Sequence, residues 1–178
     1  MTPTPRIPPG KAPAGQIDFA PVLGSVPSDI ASDSSFVEVL LLGSGAGTRA
    51  LFAQVFEKSN WRLENVASVP TAVNRLRQSP MAVVIYEDSN QPRPGAVPAW
   101  LELLSETRNL EHPPKVIVAS RQADDRLWAD VLHQGGYDVL PMPLESSEVL
   151  RTVSMAWLEW RRECETVRPR AMAVGAAR

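Results

Sequence analysis

A chain of 178 residues with 44% hydrophobic residues is long enough to form one ordinary domain with a real core. A formal net charge of -2 does not create the positive potential that attracts nucleic-acid phosphates. The single cysteine, Cys164, excludes a framework of disulfide bonds. No apolar run reaches membrane-spanning length and the first residues lack the apolar core of a secretion signal, which favours a cytoplasmic protein that binds neither membrane nor nucleic acid.

Proline is concentrated at the start of the chain, where six of the 17 prolines fall within residues 1–21. Gly, Ala, Thr and Ser surround them, and this composition buries little apolar surface. We therefore predict a disordered tail over residues 1–34 and one ordered domain over residues 35–165. Apolar periodicity is lost over residues 166–178, which predicts a flexible C-terminal tail.

Five apolar runs of strand length alternate with five helical patterns along the ordered part. In chain order the strands are FVEVLLL, RLENVAS, MAVVIY, KVIVAS and YDVLP. Each is followed by a segment with apolar residues at helical spacing, and Gly135 and Gly136 stop the fourth helix. The last helix starts at a Ser cap and reaches Cys164. This alternation predicts an α/β fold with a parallel sheet and helices on both faces.

The segment GSGAGT, which joins the first strand to the first helix, partly matches a dinucleotide-binding turn. Gly43 and Gly45 fit the first two glycines of that fingerprint, but Thr48 takes the third place. The acidic residue expected about 20 positions later would be Glu64, which falls inside the second strand instead of at its end. We favour a steric role for the glycines, and a nucleotide-binding Rossmann-like domain that uses the Gly43–Thr48 loop stays the alternative.

Taken together, residues 36–164 resemble a response-regulator receiver domain of the CheY-like class. The second half carries the resemblance, from VIVAS to the hydrophobic final helix. It has the family's hydroxyl after the fourth strand (Ser120), its small pair before the fifth strand (Gly135 and Gly136) and its proline after that strand (Pro143). The resemblance implies a doubly wound, flavodoxin-like sheet of five parallel strands in the order 2-1-3-4-5. It also implies a cis bond before Pro143.

The chemistry of receivers depends on five groups at the carboxyl edge of the sheet. Two acids after the first strand bind Mg²⁺ together with the aspartate after the third strand, which accepts the phosphoryl group. A hydroxyl and a lysine after the fourth and fifth strands contact the phosphoryl oxygens. In this chain Gly43 and Ser44 match the acid pair, and Glu87 matches the acceptor. Ser120 keeps the hydroxyl, while Met142 matches the lysine.

These replacements remove most of what the reaction needs. Mg²⁺ demands several oxygen ligands, and phosphoryl transfer depends mainly on electrostatic stabilisation. The resemblance therefore implies a degenerate pseudo-receiver that is not an enzyme and holds no metal or cofactor. Asp88, next to Glu87, is expected to point away from the pocket because side chains alternate along a strand. We favour Glu87 as a solvated strand end over Glu87 as a mimic of the phosphorylated acceptor.

The remaining function of such a domain lies in its surfaces. Members of the family associate through the fourth helix, the fifth strand and the fifth helix, a region that here carries Trp128, Trp157 and Trp160. Tryptophan is enriched at interface hot spots, although most of the apolar stripe on the last helix is expected to be core. We predict a stand-alone module of two-component or phosphorelay signalling that contacts an unknown protein partner. A homodimer through the last two helices is a further expectation.

The histidines and the cysteine carry no predicted chemistry. His112 and His133 are separated by a strand and have no third ligand in sequence reach, so a zinc site is not expected. We expect no histidine or second cysteine near Cys164, which is therefore expected to be inert.

Overall fold

The computed structural model describes residues 37–43, 45–57, 59–88 and 97–174, with side chains described as far as residue 166. The predicted N-terminal tail and Ser44 lie outside these ranges, as does the boundary at residues 34 and 35. The strands and helices alternate as the sequence predicts. They are β1 (Val37–Leu42), α1 (Ala46–Phe56), β2 (Trp61–Val66), α2 (Val69–Gln78), β3 (Val83–Asp88), α3 (Ala99–Thr107), β4 (Lys115–Ser120), α4 (Asp125–His133), β5 (Asp138–Pro141) and α5 (Ser146–Val174).

The five strands form one parallel sheet in the order β2-β1-β3-β4-β5. This confirms the predicted α/β, doubly wound, flavodoxin-like architecture. The register places Leu42 of β1 beside Tyr86 of β3, and Asp88 of β3 beside Ser120 of β4. The carboxyl ends of β1, β3 and β4 therefore meet at one edge, where such folds place their ligand sites.

The core consists of two apolar layers, one on each face of the sheet. Successive side chains of a strand point to opposite faces, so Leu40 joins one layer and Leu41 the other. Helices α2, α3 and α4 cover the first layer, and helices α1 and α5 cover the second. Val149 and Val153 of α5 are fully buried in the second layer, as expected for the apolar stripe of the last helix.

Helix α5 begins at Ser146 and continues to Val174, past the boundary predicted at residue 165. Lys115, at the start of β4, ties the helix to the sheet, since its Nζ lies 3.0 Å from Oε1 of Glu159 and 2.6 Å from Oε1 of Glu163. These ion pairs hold the second half of α5 against the amino end of the sheet. None of the described helices is long and apolar enough to cross a membrane.

Two backbone features match the sequence analysis. Gly135 adopts a left-handed conformation with φ of 91° directly after α4, as expected for a glycine that ends a helix. The peptide bond between Met142 and Pro143 is cis, which confirms the geometry that the resemblance implied.

Candidate functional site at the carboxyl edge of the sheet

Four of the five predicted site positions can be located at the carboxyl edge of the sheet. Gly43 follows β1, Glu87 lies near the end of β3, Ser120 ends β4 and Met142 follows β5. Ser44 lies outside the described residues. The structure thus brings the described positions to the edge where the resemblance placed them, and their contacts decide what the edge can do.

Glu87 reaches across this edge to the start of helix α1. Its Oε2 accepts a hydrogen bond of 2.9 Å from the backbone N–H of Gly45, and its Oε1 accepts one of 2.7 Å from the hydroxyl of Thr48. The side chain is half-buried. Glu87 is therefore more than a solvated strand end, and the favoured interpretation of this residue was wrong.

The glycines of the first loop make room for this carboxylate. A Cβ atom added at Gly43 would lie 2.6 Å from both Cβ and Oε2 of Glu87, closer than real Cβ atoms approach. A Cβ atom at Gly45 would overlap the carboxylate of Glu87, whereas one at Gly47 would meet open space. The steric interpretation of the loop holds for Gly43 and Gly45, since the close approach of Glu87 requires both glycines.

Asp88 contacts Ser120, the hydroxyl residue that the resemblance matches to the active edge of a receiver. The fully buried hydroxyl of Ser120 donates a hydrogen bond of 3.0 Å to Oδ2 of Asp88 and accepts one of 3.1 Å from the backbone N–H of Gln122. The expectation that Asp88 points away from the pocket was wrong. The register pairs Asp88 directly with Ser120, and residues paired in this way project to the same face of a sheet.

The two acids, Glu87 and Asp88, act electrostatically on their neighbour Tyr86. Burial raises the pKa of the Tyr86 phenol above 10.0, and the charges of Asp88 and Glu87 raise it further. Within the described ranges, no group of three or more His, Cys, Asp or Glu side chains is arranged to hold a metal ion. The carboxylates at this edge are bonded to groups of the protein itself.

The β5 side of the edge is apolar. Met142, at the position of the family's lysine, packs against the second core layer, and its backbone N–H donates a 2.9 Å hydrogen bond to the carbonyl of Ser120. Val139, three positions before Met142, is buried in the first layer. The edge therefore carries the hydroxyl of Ser120 and the carboxylates of Glu87 and Asp88. The thioether of Met142 lies at the position that the resemblance matches to a receiver's lysine.

The three predicted interface tryptophans differ in their surroundings. Trp128 on α4 is 50% exposed and forms a wall of a groove beside β5, and its Nε1 lies 3.2 Å from Oδ1 of Asp138. Trp157 packs edge-on against Trp61 and lies under the guanidinium of Arg161. Trp160 packs against the second core layer. Of the three, Trp128 is the one that presents a large surface.

Cys164 has a neighbour that the sequence did not reveal. Its Sγ lies 3.6 Å from Nδ1 of His112, whose ring also meets Trp160 edge-on. The expectation that no histidine lies near this cysteine was wrong, because the loop before β4 and the helix α5 come together only in the folded chain. The two residues are 52 positions apart, so no local pattern could have found the pair.

Comparisons with known proteins agree with this architecture. No protein-family model matches the chain, and no curated protein matches its sequence. Several solved structures are similar to this chain. One is a signal receiver domain of an HD domain-containing protein from Pseudomonas fluorescens Pf-5, which is 20% identical with a TM-score of 0.61. That match covers 77% of this chain and 98% of the other chain. A second is the CheX-CheY-BeF3-Mg²⁺ complex from Borrelia burgdorferi, which is 19% identical with a TM-score of 0.56. That match covers 68% of this chain and 89% of the other chain.

A beryllofluoride-activated NtrC4 receiver domain dimer is also similar, with 14% identity, a TM-score of 0.59 and coverage of 69% of this chain and 98% of that one. These likenesses show that the chain has the fold of a response-regulator receiver domain, as the resemblance implied. The fold thus defines the structural class of the chain, and its function has to be inferred from the residues at the carboxyl edge of the sheet.

Proposed function

We propose that this chain is a pseudo-receiver of bacterial two-component or phosphorelay signalling, a cytoplasmic module that acts through contacts with proteins and does not accept a phosphoryl group. The observation that carries this proposal is the position of Glu87. The residue at the phosphoacceptor position has both carboxylate oxygens bonded to the start of α1, at Gly45 and Thr48. These hydrogen bonds turn both oxygens toward α1 and draw on their charge, which disfavours attack on a phosphoryl donor.

The residues at the edge do not fit a Mg²⁺ ion. The ion requires several oxygen ligands in near-octahedral geometry. Gly43 offers no side chain, and the space that a side chain would fill is taken by Glu87. The carboxylate of Asp88 is bonded to Ser120. With Met142 in place of the lysine, no cation contributed by this position offsets the charge of an incoming phosphoryl group.

Protein contact is the function that remains for the surface. Trp128 on α4 and Met155 on α5 are 50% and 53% exposed, and tryptophan is enriched at interface hot spots. Two of the similar structures are assemblies, a CheX-CheY complex and a receiver dimer. We propose a non-enzymatic role in which α4 and α5 bind a signalling partner or a second copy of the chain.

The absence of phosphorylation is tested by NMR with a phosphoryl analogue. Beryllofluoride with Mg²⁺ is titrated into the ¹⁵N-labelled chain, with Mg²⁺ alone as the control. We expect the amide spectrum to stay unchanged, because the edge has no place for the metal and no free acceptor. Saturable shifts centred on Glu87 or Asp88 would contradict the proposal.

The contact surface is tested by comparing two tryptophan variants. Trp128→Ala removes an exposed side chain, whereas Trp157→Phe changes one that packs against Trp61. We expect Trp128→Ala to abolish capture of a partner from the native organism, or concentration-dependent dimerisation in sedimentation, and Trp157→Phe to preserve both. Equal behaviour of the two variants would place the contact surface elsewhere.

The alternative, a nucleotide-binding domain that uses the Gly43–Thr48 loop, has less support. The phosphates of a dinucleotide would sit at the start of α1, and the Glu87 carboxylate lies there. Thermal denaturation with NAD, NADP, ATP and cyclic nucleotides tests it. A saturable rise in melting temperature that Gly45→Asp abolishes would favour this alternative over the pseudo-receiver.

A further inference from the structure

A groove between helix α4 and strand β5 is lined by acids and by one exposed tryptophan. Strand β5 lies at the end of the sheet, and α4 packs beside it. Trp128 on α4 is 50% exposed, and its Nε1 donates a hydrogen bond of 3.2 Å to Oδ1 of Asp138 on β5. This bond holds the indole ring beside the strand. We call this surface the acidic groove, and its lining is Ala123, Asp124, Asp125, Trp128, Val139 and Pro141.

The acids of the acidic groove keep their negative charge available to a partner. The carboxylate of Asp124 caps α4, since its Oδ1 accepts a 2.7 Å hydrogen bond from the N–H of Leu127. Asp138 accepts hydrogen bonds from the indole of Trp128 and from a backbone N–H. Within the part of the chain that the structure describes, neither these two acids nor Asp125 forms an ion pair. Negative charge around an aromatic ring attracts a cationic side chain.

The outer side of helix α5 carries a second exposed apolar residue between two cations. Met155 is 53% exposed, and the exposed Arg151 and Arg162 lie four residues before it and seven residues after it. Residues at these spacings share one side of a helix. Val153 and Ala156 are fully buried in the second core layer, so the side with Met155 faces away from the sheet. We call Arg151, Met155 and Arg162 the basic stripe.

The arginines of the basic stripe have no partner among the described residues. Neither Arg151 nor Arg162 forms a hydrogen bond or an ion pair with another residue in the described ranges. Two acids of the same helix, Glu159 and Glu163, lie 3.0 and 2.6 Å from Nζ of Lys115, which partly offsets their charge. The basic stripe therefore offers two guanidinium groups and a thioether to another molecule.

We propose that the basic stripe of one copy of the chain docks in the acidic groove of the next copy. Met155 packs against the ring of Trp128 in a favourable sulfur–aromatic contact. Arg151 and Arg162 lie near the carboxylates of the groove, and these complementary charges orient the contact. This inference rests on the proposed function and names a second copy of the chain as the partner of α4 and α5.

The places of the two surfaces in the fold make this contact head-to-tail. Helix α4 covers the first core layer and α5 covers the second, so the acidic groove and the basic stripe lie on opposite sides of the sheet. A contact between different surfaces of identical chains leaves one groove and one stripe unused at the ends of the assembly. Association therefore continues past the dimer unless a ring closes, whereas a two-fold symmetric interface stops at two copies.

Sedimentation velocity of the full-length chain at increasing concentration tests the inference. Trp128→Ala changes the acidic groove and Met155→Ala the basic stripe, while the matched control Val97→Ala shortens an exposed apolar side chain outside both surfaces. We expect the wild-type chain and Val97→Ala to form species larger than dimers, and Trp128→Ala and Met155→Ala each to stay monomeric. An equimolar mixture of these two variants is expected to form a dimer and nothing larger, because each pair contains one intact groove and one intact stripe.

The charge of the groove is tested by a second pair of variants. Asp125→Asn removes a charge that lines the groove, whereas Asp130→Asn removes one from an exposed residue of the same helix outside it. We expect Asp125→Asn to weaken association about threefold, the size of a surface ion pair, and Asp130→Asn to leave it unchanged. Equal weakening by both variants would contradict a contact at the groove.

Three further results would overturn the inference. A wild-type chain that is monomeric at every concentration would exclude docking between copies. Growth that stops at the dimer would indicate a two-fold interface. A mixture of Trp128→Ala and Met155→Ala that stays monomeric would show that the two surfaces do not bind each other. The beryllofluoride titration is independent of all three results, so failure here is distinguishable from failure of the proposed function.

Discussion

The two halves of the carboxyl edge depart from a working receiver site in different ways. In the β1–β3 half, the acid pair is lost at Gly43 and Ser44, and Glu87 fills the space by bonding α1. In the β4–β5 half, Ser120 keeps its hydroxyl and the cation is replaced by Met142. The first half holds an internal carboxylate, whereas the second has a methionine at the position that the resemblance matches to a lysine. Under the proposed function, either difference alone is expected to impair phosphoryl transfer, because that reaction needs both metal and cation.

The largest expected effect comes from the β1–β3 half. Gly45→Ala places a methyl group on the carboxylate of Glu87 and is expected to destabilise the fold by about 1–3 kcal/mol, as overpacking does. Gly47→Ala, two residues away in open space, is expected to stabilise the fold by about 0.5–1 kcal/mol. The free energy of unfolding from denaturant titration measures both. Equal effects of the two substitutions would show that the glycines do not serve the contact.

A double variant sharpens this half of the comparison. Once Glu87→Ala has removed the carboxylate, Gly45→Ala has nothing to collide with. We expect its cost to fall by at least about 1 kcal/mol in that background, a coupling typical of residues in contact. Strictly additive unfolding free energies would argue against a direct clash between position 45 and Glu87.

The next effect, in the β4–β5 half, concerns Ser120. Ser120→Ala leaves Oδ2 of Asp88 and the N–H of Gln122 without the hydroxyl that they share, at a cost of about 1–2 kcal/mol. Met142→Leu keeps the apolar volume beside it and is expected to cost less than about 1 kcal/mol. Denaturant titration of both variants measures the difference. A larger loss of unfolding free energy in Met142→Leu than in Ser120→Ala would contradict the view that the Ser120 hydroxyl is the main stabilising group in this half.

A smaller effect is expected at alkaline pH. Burial, with the charges of Asp88 and Glu87, raises the pKa of Tyr86 above 10.0 in the folded chain, so the folded state keeps a proton that the unfolded state loses. The stability contributed by Tyr86 is therefore present below pH 10.0 and is lost as the pH rises through the folded pKa. Tyr137→Phe leaves Tyr86 as the single tyrosine, so phenolate absorbance reports its pKa directly. Asp88→Asn should lower that pKa toward 10.0; an unchanged value would exclude the electrostatic contribution.

The smallest effect tests whether the two halves fail independently. Met142→Lys returns a cation to the β4–β5 half but leaves Glu87 bonded to α1. We expect no gain of beryllofluoride and Mg²⁺ binding in the amide spectrum, because the metal ligands are still missing. Binding restored by this substitution alone would mean that Glu87 does not close the site.

Local patterns predicted the architecture well, because strand and helix periodicities are written in neighbouring residues. The order of the strands came from the resemblance, and so did the alignment of Glu87 and Ser120 with the active edge. Neither the local patterns nor the resemblance predicted the contacts between residues that are distant in sequence. Ser120 bonds Asp88 because of the β3–β4 register, and Cys164 meets His112 because a loop and α5 converge.

The sequence by itself determined that this chain builds a parallel α/β sheet with glycines, acids and a methionine at its carboxyl edge. It does so because apolar periodicity and turn residues are local properties. Only the tertiary structure decided that Glu87 turns to α1 and Asp88 to Ser120. The reason is that a polar side chain leaving water takes whichever partner the packed elements bring within hydrogen-bond distance, and that choice is not encoded in any single segment.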